Sequence, residues 1–199
     1  LSDPRAVKAV KDEAAALVAA GTWDESSVME RDALIAWAKK SGQKIHMAAL
    51  MSICSVKYSE LDESQWKHKG RVCFRGDAVR DEQGQVAVFE QLAASPTSIV
   101  DTNSTIAYGT LRKHKVTCAD AIRAYIQSVL GSKTATWVQI PFELWPPEWA
   151  KAGMRRPMCK LIKSLYGHPE SGGWWEKHLT SALMSLGAVV VDGHPSVFW

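Results

Sequence analysis

The sequence predicts an α+β fold, in which a mixed or antiparallel sheet packs against helices. Three observations carry that expectation. Apolar residues recur at helical spacing near the start and again after Trp174. Between these stretches lie short apolar runs with strand-like alternation, at 45–57, 70–75 and 136–140. The connections between runs are short, and the order is helices first, then mixed strands and helices.

Taken in order, Asp3 to Ala20 reads as a helix, with Val7, Val10, Ala14, Leu17 and Val18 on one face and Gly21 as its stop. A second helix is expected from Ser26 or Ser27 to Lys40, carrying Met29, Ala33, Leu34 and Trp37, with Gly42 ending it. Ile45 to Lys57 reads as a strand, interrupted or bulged, with Ile53 and Val56 as core positions. A charged connection from Leu61 to Lys69 leads into a strand from Gly70 to Arg75, with Val72 and Phe74 facing one side. Asp81 to Gly84 is a turn, and Val86 to Phe89 a further short strand. Ser95-Pro96 opens a helical segment toward Leu111 whose Ile99, Ile106 and Leu111 share a face.

Lys115 to Ala119 is expected as a strand ending at Asp120, followed by a short helix from Ala121 to Leu130. Thr136 to Ile140 is another strand. Pro141, Pro146, Pro147 and Pro157 exclude a long helix between them. Met158 to Lys163 reads as a strand or the run into a turn. Trp174 to Leu186 is a helix stopped by Gly187, and Ala188 to Val191 and Val197 to Trp199 close the chain as strands. Because the chain opens on Leu1 and stops within an apolar run, it is expected to be a window cut from a longer protein.

Composition narrows the function classes. With 199 residues, 46% apolar and 23% charged, the chain can bury a core without disulfide staples and is not wholly disordered. Its longest small or apolar run, Ala14 to Ala20, is far short of a membrane span, and no secretory signal opens it. Cys54, Cys73, Cys118 and Cys159 stand singly and complete no zinc set, as expected of reduced thiols in a cytoplasmic or nuclear protein. The net charge of +3 conceals an asymmetry: Arg112 to Lys163 holds ten basic residues against Asp120, Glu143 and Glu148, a local net of +7. A basic stretch of this kind suits a phosphate backbone, or equally a solvated face. The phosphate-binding Gly-rich loops, the nucleophile elbow and H-E-x-x-H are absent from the sequence. His168, His178 and His194 have no metal spacing and read as surface groups. Asp120, at the hand-over from an apolar run to a helix start, reads as an N-cap or a metal-binding carboxylate.

Several segments together resemble a known family. Lys69-Gly-Arg71-Val-Cys-Phe-Arg75-Gly76 resembles the K-A-R-L-V-A-K-G element of Ty1/copia-type retrotransposon reverse transcriptases, which are RNA-directed DNA polymerases. Gly21-Thr22-Trp23 resembles their N-T-W, and Ile53-Cys54-Ser55-Val56-Lys57 their W-V-F-K-V-K strand. Asp120 to Gln127 resembles D-V-K-T-A-F-L-N, and Lys163-Ser164-Leu165-Tyr166-Gly167 is identical to K-S-L-Y-G. Trp175-Glu176-Lys177 with Leu179, Ser185-Leu186-Gly187, and Asp192 to Phe198 follow in the family's order.

The resemblance implies a right-hand polymerase, present here as fingers and an incomplete palm. Residues 1–44 would be an N-terminal helical segment, 45–99 fingers-like, and 100–199 incomplete palm with the remaining fingers elements. It implies that Asp120 is the first palm carboxylate for two Mg2+ (or Mn2+) ions, which need hard oxygen ligands. Tyr125 would lie under the incoming sugar and exclude a 2′-hydroxyl. Lys69, Arg71 and Arg75 would meet the triphosphate, a task that suits guanidinium groups. Lys163, Tyr166 and Gly167 would face nucleic acid. The implied partners are an RNA or DNA template with its primer, deoxynucleoside triphosphates and other parts of a retrotransposon polyprotein, with no membrane.

The pattern also breaks. After K-S-L-Y-G the family has L-K-Q-A-P-R-A-W, whereas this chain has His168-Pro169-Glu170-Ser171-Gly172-Gly173-Trp174, one residue shorter and without the glutamine. No Asp-Asp pair occurs, so these 199 residues alone are expected not to polymerise DNA, the box lying beyond Trp199 in an intact parent. Two other readings compete: a degenerate, non-catalytic remnant that binds nucleic acid, and a structural or protein-interaction module built on the nine tryptophans.

Overall fold

The computed structural model describes residues 3–89 and 94–199. It is α+β, with a six-stranded mixed sheet in the order β1 (Trp23–Glu30), β6 (Pro157–Leu161), β5 (Ala135–Gln139), β2 (Ile45–Lys57) and β3 (Lys67–Phe74), with a short β4 (Arg80–Asp81) beside β2. Helices α1 (Pro4–Ala19) and α2 (Arg31–Ser41) each cover one of the sheet's two buried regions.

Helix α1 (Pro4–Ala19) starts where Asp3 accepts the Arg5 N–H at 2.7 Å, with Pro4 at the first helical position. Ala6, Val10, Ala14 and Leu17 are its buried stripe. It lies so close on β3 (Lys67–Phe74) that a Cβ on Gly70 would stand 2.3 Å from the Ala9 carbonyl oxygen. Glycine is therefore a packing requirement at that strand position.

The helix expected to begin at Ser26 or Ser27 is corrected. Strand β1 (Trp23–Glu30) comes first, and α2 spans Arg31–Ser41. Asp24 accepts from both the Ser26 N–H and its hydroxyl, and the Ser27 Oγ donates to the Asp24 carbonyl. Such local bonds compete with helix formation, and the free edge of β6 (Pro157–Leu161) supplies a strand partner. Lys160 N–H donates to Ser27 Oγ, and Glu30 accepts from Arg156 N–H at 2.8 Å. Gly42, at φ 67°, ends α2 as expected.

Strand β2 (Ile45–Lys57) organises the sheet. Its first half runs parallel to β5 (Ala135–Gln139), and its second half pairs antiparallel with β3, Leu50 opposite Phe74 through Lys57 opposite Lys67. β4 (Arg80–Asp81) pairs with His46 and Met47. The inner half of β2 is buried and the outer half is not. Ile53 and Val56, expected in the core, are exposed because the β2–β3 ribbon extends beyond the neighbours that cover its base. Val72 and Phe74 do face the core together.

One core cluster, on the α1 side, joins Leu17, Leu50, Val72, Phe74, Val138 and Leu165. The other, under α2, joins Leu34, Ala38, Ile45, Met47, Trp137 and Met158.

Helix α3 (Ile99–Gly109) is capped by Ser98 but buries no residue; Ile99, Ile106 and Leu111 are exposed. The strand expected at Lys115 to Ala119 is corrected: these residues are irregular and exposed, alternation having found no strand to pair with. The helix expected from Ala121 to Leu130 contracts to α4 (Ala124–Gln127). The proline-rich stretch holds a 3-10 turn at Phe142–Leu144 and a short helix, α5 (Pro147–Lys151). Helix α6 (Ser171–Ser185) follows, with Leu179 and Leu186 exposed. Val189 and Trp199 exchange backbone hydrogen bonds, bringing the last two expected strands together as a single bridge. Among the described residues no helix is long and apolar enough to cross a membrane.

Candidate functional site

Three segments far apart in sequence meet at the end of β3. The Phe74 N–H donates to the Tyr166 carbonyl at 2.7 Å. Gly167 has φ +88°, and a Cβ there would lie 2.1 Å from the Phe74 carbonyl oxygen. A Cβ on Gly76 would lie 2.3 Å from the Gly167 carbonyl oxygen. Both glycines are thus needed for two backbones to touch. Tyr166 then meets Tyr125 of α4 edge-on, with ring centroids 4.7 Å apart and planes at 71°. Bonds from Leu130 N–H to the Ile162 carbonyl and from Ser164 N–H to the Ser128 carbonyl zip the two segments together.

Phe74, Arg75, Gly76, Tyr125, Tyr166 and Gly167 therefore form one corner of the molecule. Arg75 is held locally by Asp77 at 2.9 Å, and this carboxylate raises the guanidinium pKa. Lys69 and Arg71 lie further along β3, opposite Ser55 and Ile53. They share the ribbon face that α1 does not cover, because Gly70, Val72 and Phe74 take the other. Arg71 also bears on Cys73, whose thiol is pushed up by burial and pulled back by that guanidinium. Lys163 is half-buried and is held by its N–H to the Thr22 carbonyl.

Asp120 is exposed in the irregular stretch ahead of α4. Arg123, between them, takes a left-handed conformation (φ 53°) and pairs with Glu13 of α1 at 3.4 Å. Among the described residues no group of three or more His, Cys, Asp or Glu side chains is arranged to hold a metal ion. A pair of divalent ions needs several carboxylates, so the described residues do not by themselves fit it.

Behind the corner lies a buried polar cluster that sequence reasoning missed. His168, read as a surface group, is only 4% exposed, and Glu170 is 5% exposed. The His168 ring lies between Phe74, at 4.8 Å, and Phe89, at 5.2 Å. Its Nδ1 accepts the Glu170 N–H at 3.2 Å, and its Nε2 is 3.4 Å from Thr136 Oγ1. Glu170 in turn accepts the Ser132 hydroxyl and, at 3.4 Å, the Trp174 indole N–H. The local sequence, a histidine between Gly167 and Pro169, carries no periodic signal for that burial.

Burial, with His46 nearby, pushes the His168 pKa down to about 4. Between that value and the ordinary 6.5 the unfolded chain takes a proton that the folded site refuses. Stability from this group is therefore full above pH 6.5 and is lost as pH falls toward 4, by roughly 3 kcal/mol. Urea midpoints at pH 7.5 and 4.5 should differ accordingly, and His168→Phe should flatten that part of the slope.

No family model matches the chain, and no match is found among the curated proteins or among the solved structures.

Proposed function

We propose that this chain is the fingers and incomplete palm of a retrotransposon-type RNA-directed DNA polymerase. One observation supports the reading above others: the segments that carry the resemblance, around Arg75, Tyr125 and Tyr166-Gly167, converge although as many as 91 positions separate Arg75 from Tyr166. Nothing in their local sequences requires that meeting.

On this reading Arg71 and Lys69, on the open face of the β2–β3 ribbon, attract the triphosphate of a deoxynucleotide. Tyr125, braced by Tyr166, forms the floor under the sugar. Asp120 supplies one carboxylate to Mg2+ or Mn2+ in an intact parent, and Lys163 lies toward the template or primer. The remaining carboxylates and other polyprotein segments come from outside these residues.

The test is binding of a labelled RNA–DNA primer-template followed by anisotropy across a salt series. Lys163→Ala should weaken this binding roughly uniformly and reduce the log–log salt slope by about 1, whereas Lys69→Ala/Arg71→Ala should weaken binding of a labelled deoxynucleoside triphosphate by about 3- to 30-fold. Asp120→Ala should leave binding nearly unchanged, yet abolish nucleotide incorporation when introduced into a longer parent chain. Binding without incorporation by that parent before substitution would favour the non-catalytic remnant. No binding at low salt would overturn both and leave the protein-interaction module.

A further inference from the structure

The turn that carries Tyr166 and Gly167 is held from two sides. On the side of α6, Ser171 Oγ accepts the Leu165 N–H at 2.9 Å and donates to the Leu165 carbonyl at 2.8 Å. On the side of the sheet, His168 bridges the Glu170 N–H and the Thr136 hydroxyl. A backbone N–H donates only to an unprotonated nitrogen, so Nδ1 is bare and the neutral ring carries its proton on Nε2, toward Thr136. A phenyl ring would pack between Phe74 and Phe89 as well as an imidazole does. What the imidazole adds is direction, two bonds on opposite edges of the ring, with the Glu170 amide left orphaned if they are lost.

We propose that His168 is a positioning residue, a neutral Nε2–H imidazole that locks the Tyr166–Gly167 turn onto the sheet, packed on Phe74 of β3 and bonded to Thr136 of β5, and so sets the Tyr125–Tyr166 pair. That this pair forms the floor of a nucleotide site rests on the proposed function; the lock does not. Its surroundings leave no room for a second proton. Protonated Nδ1 would turn a donor toward the Glu170 N–H. The titratable group that bears on the ring is His46 of β2, on which Glu170 at the start of α6 and Asp81 and Glu82 of the β4 turn act in their turn. Glu170 has already committed its carboxylate to Ser132 and Trp174.

The test uses the full chain without nucleotide. At pH 7, 15N spectra of the imidazole should show the Nε2–H tautomer alone; the Nδ1–H form, or a mixture, overturns the lock in the wild-type protein itself. Hydrogen exchange then compares the Phe74 amide, bonded to Tyr166, with the Gln43 amide, bonded to Ala38 of the other core cluster, under α2. His168→Phe should speed exchange at Phe74 about tenfold over any change at Gln43, as one lost anchoring bond predicts. His168→Asn, whose carbonyl reaches the Glu170 N–H, should restore most of the protection. Thr136→Val, which keeps the ring and removes one partner, should give a smaller, equally local loss. Equal acceleration at Phe74 and Gln43, or none at Phe74, overturns the proposal. Failure to bind primer-template would overturn the functional reading and leave these readouts standing.

Discussion

Gly167→Ala should cost about 3–5 kcal/mol and separate Tyr166 from Tyr125. A left-handed backbone conformation costs an alanine about 1–2 kcal/mol. The rest comes from collision, because the new Cβ would stand 2.1 Å from the Phe74 carbonyl oxygen. That oxygen belongs to a strand paired with Leu50, so no flexible side chain is there to yield. Relief requires the turn to move, which breaks the bond from Phe74 N–H to the Tyr166 carbonyl, worth about 1 kcal/mol. Gly84 supplies the control: its φ is +84°, and a Cβ there would meet nothing within 4 Å. Gly84→Ala should therefore lose only the conformational part. Urea unfolding of the two variants measures the difference, and equal losses would show that the two backbones do not touch as described.

Phe74→Ala is the second large effect, expected at about 3–5 kcal/mol for a fully buried aromatic ring. It carries a spectroscopic consequence that an ordinary core deletion lacks. Phe74 walls one side of His168 at 4.8 Å. Removing it hydrates the imidazole, so its pKa should climb from about 4 toward the ordinary 6.5. Leu34→Ala, in the cluster under α2, should destabilise by about 2–5 kcal/mol and leave His168 unmoved. An NMR titration of His168 in both variants decides the point, and a parallel rise in both would mean that general loosening, not the Phe74 wall, sets the value.

Much of the fold is legible in local pattern. The stripe from Val10 to Leu17, the stops at Gly21 and Gly42, and the alternation about Val72 and Phe74 each describe one element seen alone. The failures lie where an element depends on a partner. Ser26 and Ser27 join a strand because Asp24 ties them locally and β6 stands beside them. Val116 and its neighbours alternate as a strand would and remain irregular, with no ladder to enter. Ile53 and Val56 are apolar enough for a core and lie on a ribbon that leaves it.

The candidate site divides in the same way. Lys69, Arg71, Arg75, Asp120, Tyr125 and the Lys163 to Gly167 run could be named from the resemblance of their motifs. Their relation to one another could not, because the approach of Gly167 to Phe74 joins backbones 93 positions apart.

The sequence by itself determined the α+β class, the helix stops and the alternation of β3, since each is a matter of steric preference and periodicity within a few residues. The tertiary structure alone decided which strands pair and that His168 lies dry between Phe74 and Phe89. Pairing needs a neighbour, and desolvation is the work of every group that excludes water, wherever the chain has brought it from.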